Sequence, residues 1–200
     1  AGQVWISPTR FYVQEDVYKK FLARFTEYAK GIKVGDGLEK GVAMGPLANA
    51  RRLDAMDSFV ADAKDRGGKI QTGGSRRGNQ GYFFEPTVLT HMSSEMTPVK
   101  NEIFGAVLCV QTFGDDDLDR IAREANSTIY GLSGSVWTRD LGIAMQMVRK
   151  IDSGQVSVNM HAAIDPAMPF GGNKQSGWGR EFGKEGLEPY LKTKGISMTW

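Results

Sequence analysis

Residues 106–126, AVLCVQTFGDDDLDRIAREAN, carry the pattern that decides the fold. The apolar run from Ala106 to Phe113 predicts a buried strand, and the acid-rich stretch after it predicts a helix. Strands and helices of similar length alternate through the rest of the chain. This alternation predicts an α/β fold with an open twisted, mainly parallel sheet and flanking helices.

Apolar periodicity predicts the other elements. Further helices are expected in residues 14–36, 49–68, 139–154 and 184–195, with Gly31 and Gly154 as stops of the first and third. Further strands are expected in residues 69–74, 82–92, 132–138, 155–160 and 196–200. One face of the first helix carries Val17, Phe21, Phe25 and Tyr28, and one face of the second carries Leu53, Met56, Phe59, Val60 and Ala63. The glycine-rich residues 165–183 predict a long ordered loop, and such loops are often functional.

Composition excludes several classes of protein. The net charge of +2 is spread along the 200 residues without a basic block, which argues against nucleic acid as a partner. No apolar run is long enough to span a membrane, and no signal peptide is visible. The single cysteine, Cys109, lies in an apolar run and is expected to be a small buried strand residue. The first residue is not methionine, so we expect a processed start or a piece of a longer chain.

The stretch GQVWISPTR, residues 2–10, raises a chemical question. A tight Gly-Gln turn before a short apolar run is a suitable place to present a reactive side chain. The residue presented is Trp5, whose indole can act neither as nucleophile nor as acid nor as base.

Six stretches resemble one family in their order and spacing. They are GQVWISPTR, EPTVL, NEIFGAVLCV, YGLSGSVWTRD, GQVSVN and PFGGNKQSGWGREFGKEGLEPYLKTK. Together they resemble the C-terminal half of aldehyde dehydrogenases. The resemblance implies a catalytic-like domain in residues 1–190, a terminal oligomerisation strand in residues 191–200, and the absence of the dinucleotide-binding domain.

The resemblance also implies roles for individual residues. Trp5 stands where the family has its nucleophilic cysteine, and the backbone N–H of the same residue would help to stabilise the oxyanion. Either covalent chemistry has been lost in favour of an indole that fills the aldehyde tunnel, or the change is a coding accident or an engineered one. Glu102 would accept hydrogen bonds from the nicotinamide-side ribose, and Phe104 would pack near the nicotinamide. Ala106 departs from the family's usual proline.

The substrate pocket implied by the family lies in the loop after QVSVN. Asn159, Met160 and His161, together with Ala162 and Ile164, would line the aldehyde entrance, and Phe170 would form a wall. Read from the residues alone, Asn159 is a loop-fixing amide and His161 a surface or hydrogen-bonded histidine. No metal site is predicted. The implied cofactor is NAD or NADP, which this chain alone is not expected to bind because the glycine turn for pyrophosphate is missing. The general-base glutamate and the oxyanion-hole asparagine of the family are missing as well.

Three functional hypotheses follow. The first is the catalytic-domain portion of an NAD(P)-dependent aldehyde dehydrogenase, oxidising small aldehydes in the family but inactive as written. The second is a non-catalytic domain that forms homo-oligomers through its C-terminal strand. The third is an esterase-like hydrolase with another nucleophile, such as Ser7 or Cys109. The absence of a possible disulfide framework fits a cytoplasmic location.

Overall fold

The computed structural model describes residues 1–115 and 117–200, and the backbone forms two compact units. The first unit, Ala1–Thr128, contains β1 (Arg10–Gln14), α1 (Glu15–Gly31), α2 (Ala50–Asp65), β2 (Lys69–Thr72), β3 (Thr87–Thr90), α3 (Thr97–Lys100), β4 (Val107–Phe113) and α4 (Leu118–Ala125). The second unit, Ile129–Trp200, contains β5 (Tyr130–Gly131), β6 (Ser133–Val136), α5 (Leu141–Lys150), β7 (Gln155–Val158), β8 (Asn173–Lys174), α6 (Gly183–Leu187) and a 3-10 helix (Glu188–Tyr190). Asp116, which belongs to the acid run predicted to open a helix, lies outside the described residues.

The sheet of the first unit is mainly parallel. Its strand order is β1-β4-β3-β2, with β4 parallel to both β1 and β3 and with β2 antiparallel to β3. In the second unit β6 and β7 form a parallel pair, and the short β5 and β8 form an antiparallel one. The predicted α/β fold with a mainly parallel sheet and flanking helices is confirmed.

Strand β4 separates two hydrophobic cores. One core contains α2, together with Leu89, Val107 and Cys109 of the sheet. The other core lies under α1 and contains Val88 and Val110. Adjacent residues of β3 and β4 point to opposite faces, as the twofold period of a strand requires. The buried residues of α2 are those predicted from the sequence: Leu53, Met56, Phe59, Val60 and Ala63.

Helix α1 is present as predicted, but its apolar face is only partly covered. Val17 is 52% exposed and Tyr28 is 74% exposed, while Phe21 and Phe25 are half-buried. The buried residue of this helix is Ala29, on the side that faces the sheet. Helical spacing groups residues on one face, but it does not say which face meets the sheet.

The second unit corrects two predicted helix boundaries. The helix expected in residues 184–195 is shorter, with α6 over Gly183–Leu187 followed by a 3-10 helix over Glu188–Tyr190. Helix α5 ends at Lys150, with Ile151 as its C-cap, and not at Gly154. Gly154 serves a different purpose, because a Cβ there would lie 1.6 Å from the carbonyl oxygen of Gly171. The glycine lets the backbone before β7 approach the glycine-rich loop closely.

Residues 191–200 form neither helix nor strand, and every one of them is exposed. The terminal strand expected in residues 196–200 is therefore not formed within this chain. Pairing of residues 191–200 with another subunit stays a prediction, as does the single domain of residues 1–190, which spans both units. Among the described residues, no helix is both long and apolar enough to cross a membrane.

Two leucine-to-alanine changes compare a core position with a surface position. Leu53 is 5% exposed in α2, whereas Leu38 is 95% exposed. We expect Leu53→Ala to lower the free energy of unfolding by about 2–5 kcal/mol, because it removes buried methyl groups and leaves a cavity. Leu38→Ala should lower it by less than about 0.5 kcal/mol. Urea denaturation followed by circular dichroism measures both losses, and equal losses would contradict the assigned core.

The buried thiol of Cys109 predicts a loss of stability at alkaline pH. Burial raises the pKa of this thiol from 9.0 to about 12, so the folded chain keeps a proton that the unfolded chain loses. The stabilisation is complete below pH 9.0 and falls as the pH rises toward about 12. The difference in unfolding free energy between the wild type and Cys109→Ala should shrink by about 1.4 kcal/mol per pH unit in this window. Denaturant titrations of both proteins at several pH values measure it; a constant difference would show that the thiol ionises equally in both states.

Candidate active site

A tight turn at residues 4–7 presents Trp5 to solvent. The N–H of Ser7 donates a hydrogen bond to the carbonyl oxygen of Val4 at 2.9 Å, which closes a β-turn with Trp5 at its second position. The indole is 75% exposed. The two exposed side chains of this turn, Val4 and Trp5, are therefore apolar, and neither is a nucleophile.

Two contacts fix the segment before Trp5. Gly2 has a φ of +74°, and a Cβ there would lie 2.2 Å from the carbonyl oxygen of Gly105. Glycine alone suits both the left-handed backbone and this close approach. The side-chain oxygen of Gln3 accepts a hydrogen bond from the N–H of Ala48 at 2.9 Å. Gly2 thereby holds this segment against the loop that precedes β4, and Gln3 ties it to the loop that precedes α2.

The loop before β4 carries both residues of the implied cofactor site. Ile103 is fully buried and anchors it, and the guanidinium of Arg52 donates to the carbonyl oxygen of Ile103 at 2.9 Å. Phe104 follows with a φ of +47°, a conformation uncommon outside glycine. Glu102 is exposed on the other side of Ile103. An anchored isoleucine thus lies between an open carboxylate and a strained aromatic residue.

Trp5 and Phe104 lie together. Their ring centroids are 6.4 Å apart and the rings are nearly perpendicular, at 89°. The strand register explains the contact, because Arg10 of β1 pairs with Cys109 of β4, and Trp5 and Phe104 each lie five residues earlier. Amino ends of parallel strands meet at one edge of a sheet, so this edge gathers the turn and the loop. Edge-to-face packing of this kind is a favoured aromatic geometry.

Asn159 fixes the loop after β7 within the second unit. Its side-chain oxygen accepts from the N–H of Thr138 at 2.9 Å, and its side-chain amide donates to the carbonyl oxygen of the same residue at 2.8 Å. Its own N–H donates to the carbonyl oxygen of Val136 at 2.8 Å. With a φ of +55°, Asn159 turns the chain out of the strand. These contacts match the loop-fixing amide predicted from the residue alone.

The other residues of this loop differ in their surroundings. Met160 is about half exposed, and His161 places its Nδ1 3.2 Å from the hydroxyl of Ser135 on β6. Ala162 adopts a φ of +56°, a costly conformation for a residue with a Cβ. Gln155 at the start of β7 donates a hydrogen bond to the carbonyl oxygen of Ala163. The loop is thus attached to β6 and β7 at several points.

Phe170 is held by its backbone. Its N–H and carbonyl oxygen both pair with Glu181, each at 2.7 Å. Sequence reasoning did not single out Arg180, although its guanidinium donates to the carbonyl oxygen of Gly172 at 3.0 Å and to the side chain of Asn173 at 2.8 Å. Its position in the glycine-rich GWGRE stretch was a usable signal, since an arginine there can satisfy several loop carbonyls at once.

The alternative nucleophile Cys109 is unsuited to chemistry. It is 1% exposed in β4, and burial raises the pKa of its thiol to about 12. A thiol reacts as its thiolate, so this one is inert near neutral pH. The prediction of a buried strand cysteine is confirmed. Ser7, the other alternative, uses its N–H in the turn that presents Trp5.

Glu102 and Phe104 are the residues whose chemistry suits a nicotinamide cofactor. The exposed carboxylate of Glu102 can accept from two vicinal hydroxyls, and Phe104 offers a ring on the same loop. Both fit the ribose and nicotinamide end of a dinucleotide. Across residues 1–115 and 117–200, no group of three or more His, Cys, Asp or Glu side chains could hold a metal ion.

Comparison with known proteins gives consistent results. A sequence profile of the aldehyde dehydrogenase family matches residues 1–196. The chain is 42% identical, over 97% of its length, to the probable succinate-semialdehyde dehydrogenase (NADP+) of Sinorhizobium fredii, of which it covers 39%. It is 38% identical, over 98% of its length, to aldehyde dehydrogenase, cytosolic 2, of Macroscelides proboscideus, of which it covers 81%.

Solved structures agree. The chain resembles betaine aldehyde dehydrogenase from Staphylococcus aureus in complex with NAD+, with a TM-score of 0.90 and 38% identity over 97% of this chain and 39% of that one. A structure of the same enzyme without cofactor contains a cysteine modified by β-mercaptoethanol, and it also has a TM-score of 0.90. The chain therefore spans about two-fifths of the length of most of the relatives named here. Because the family profile covers nearly the whole chain, this protein belongs to the aldehyde dehydrogenase family.

Proposed function

We propose that this chain is the catalytic-domain portion of an NAD(P)-dependent aldehyde dehydrogenase in which covalent aldehyde oxidation has been lost. The observation that carries the proposal is the indole of Trp5 on the solvent-exposed turn before β1, packed against Phe104. Membership of the family supports the reaction class. The presence of Trp5 on the turn supports the loss of covalent aldehyde oxidation.

The lost step needs a particular kind of atom. Oxidation in the family begins when a soft, strong nucleophile adds to the aldehyde carbonyl, and thiolate suits both the addition and the later departure. The indole of Trp5 offers an N–H donor and no ionisable or nucleophilic atom. The backbone N–H of Trp5 is still suited to stabilise an oxyanion, as in related active sites. An aldehyde reaching Trp5 would thus meet a hydrogen-bond donor and no thiolate to add to its carbon.

Cofactor binding is proposed to involve Glu102 and Phe104. Glu102 would bind the nicotinamide-side ribose, and Phe104 would contact the nicotinamide ring, which accepts the hydride when bound. The NAD+ complex of the Staphylococcus aureus relative supports the class of cofactor. Since the chain spans 39% of that relative, we expect little NAD affinity from this chain alone.

Substrate contacts are proposed for the second unit. Asn159, Met160, His161 and Phe170 would line the entrance for a small aldehyde. The half-exposed thioether of Met160 supports a partly apolar entrance, and the hydrogen bonds of Asn159 support a fixed loop shape. We place the protein in the cytoplasm, because one buried thiol suits a reducing compartment.

A second function, self-association, is favoured by the C-terminal segment. Residues 191–200 are exposed throughout and include four large apolar side chains: Leu191, Ile196, Met198 and Trp200. Apolar side chains and open backbone groups in an extended segment favour pairing with another strand. We therefore propose homo-oligomer formation through this segment. The esterase alternative is less favoured, because the thiol of Cys109 is buried.

Replacing Trp5→Cys should create a reactive thiol on the turn. An exposed cysteine with the ordinary pKa of 9.0 carries about a thousandfold more thiolate at neutral pH than a buried one at about 12. We expect rapid alkylation of one thiol per chain by iodoacetamide, while the wild type stays unlabelled until it unfolds. Peptide mass spectrometry locates the label, and the same samples are tested for hydrolysis of p-nitrophenyl acetate and for NAD binding.

Trp178→Cys is the matched control, because Trp178 is also exposed and lies in the second unit. Both variants should be labelled, but only Trp5→Cys should hydrolyse the ester. Failure to label position 5 would contradict the assignment of the turn. Oxidation of an aldehyde with NAD reduction by the unaltered chain would refute the proposed loss. Ester turnover by the wild type that disappears in Ser7→Ala or Cys109→Ala would favour the hydrolase.

Deleting residues 195–200 should weaken self-association while leaving the fold intact, because these residues are exposed and lie outside helices and strands. Sedimentation velocity over a concentration series should show oligomers for the full chain and monomers for the truncated one. A matched variant with Ile196→Ser and Met198→Ser keeps the backbone of the segment and removes two of its apolar side chains. It therefore distinguishes the contribution of the side chains to self-association from that of the backbone. Identical sedimentation of all three proteins would rule out this segment as the interface.

A further inference from the structure

The outward face of α1 forms an open groove that the proposed function does not use. Its volume is about 450 Å³, and its lining residues are Val17, Lys20, Phe21, Arg24, Phe25 and Tyr28. Four of these six side chains are apolar or aromatic, and the other two are cations. The groove contains neither Trp5 nor Phe104, so it is separate from the candidate active site.

Three aromatic rings in mutual contact form and support the floor of the groove. Phe21 and Phe25 lie with centroids 5.1 Å apart and with planes tilted by 23°. Phe11 of β1 lies behind them, 6.3 Å from Phe21 and 5.1 Å from Phe25. A floor that rests on the sheet keeps its shape better than side chains on a free helix. It offers preformed apolar surface, which lowers the ordering cost of binding a ligand.

The charges of the groove have one sign. Lys20 and Arg24 are exposed and one helical turn apart, so they are neighbours on the same face of α1. The lining contains no carboxylate. The acids nearest in sequence, Asp16 and Glu27, are on α1 but do not line the groove. A ligand in the groove therefore meets two cations beside aromatic surface.

We propose that this groove binds a small amphiphilic carboxylate, namely a free medium-chain fatty acid. The alkyl chain would cover the rings of Phe21 and Phe25, and the carboxylate would lie between Lys20 and Arg24. Charge-assisted hydrogen bonds from ammonium and guanidinium groups are stronger than those to a neutral hydroxyl. Apolar contact alone would bind an alcohol of equal length just as well. Lys20 and Arg24 would make the groove prefer a carboxylate.

Titration calorimetry of the 200-residue chain tests this inference with three ligands of equal chain length. Decanoate and decyltrimethylammonium, each below its micelle concentration, and decanol, below its solubility limit, differ in their head groups. We expect decanoate to bind about tenfold more tightly than decanol, a difference of about 1.4 kcal/mol. Decyltrimethylammonium should bind most weakly because Lys20 and Arg24 repel it.

Variants of exposed residues locate the site without disturbing the fold. The double change Lys20→Gln with Arg24→Gln should abolish the difference between decanoate and decanol. Lys19→Gln is the matched control, because Lys19 is an exposed lysine of α1 that does not line the groove. It should keep the full difference. Tyr28→Ala should weaken the binding of all three ligands, because it removes apolar surface from the groove. Far-UV circular dichroism checks that each variant is folded.

Three results would overturn the inference. Equal affinity for decanoate and decanol would mean that the cations play no part. An equal loss in Lys19→Gln and in the double variant would mean non-specific attraction to a basic helix. Binding to phosphatidylglycerol vesicles without binding to monomeric decanoate would assign the face to a lipid surface instead. A failed W5C labelling experiment would leave the inference standing, since it depends on α1 alone.

Discussion

The parallel pairing of β4 with β1 on one side and with β3 on the other is the constraint on which the rest of the first unit depends. It places one strand between two cores, and it brings the amino ends of β1 and β4 to one edge of the sheet. The turn of Trp5 and the loop of Phe104 come immediately before those two ends. The parallel direction and the register of the two strands therefore bring the turn and the loop together. The contact between the rings of Trp5 and Phe104 stabilises this arrangement further.

In the proposed function, the positions of the Cys109 thiol and the Trp5 indole decide whether the chain can react covalently with an aldehyde. The chain's one thiol lies inside β4, where burial keeps it protonated, while an indole occupies the exposed turn. The thiol is inaccessible, and the exposed indole offers no thiolate in its place. The backbone around the indole is fixed, because Gly2 packs on Gly105 and Arg52 holds Ile103.

Helix α1 faces two environments. Its inner side covers Val88 and Val110 of the sheet, while its outer side exposes Tyr28 and two cations beside the half-buried Phe21 and Phe25. An amphipathic helix with a single apolar stripe would bury that stripe and expose polar groups. Here the apolar surface is wider than the sheet can cover. The excess surface gives the helix a binding face as well as a packing face.

Local pattern determined much of the fold. The spacing of Leu53 and Met56 identified the buried face of α2, and the apolar run around Cys109 identified β4, because periodicity and continuous apolarity reflect burial directly. Motifs with fixed spacing also indicated the family. Tertiary structure alone decided the strand β1, the end of α5 at Lys150, the exposure of Val17 and Tyr28, and the contact of Trp5 with Phe104. Each of these depends on residues distant in sequence, which hydrogen-bond or pack only after the chain has folded.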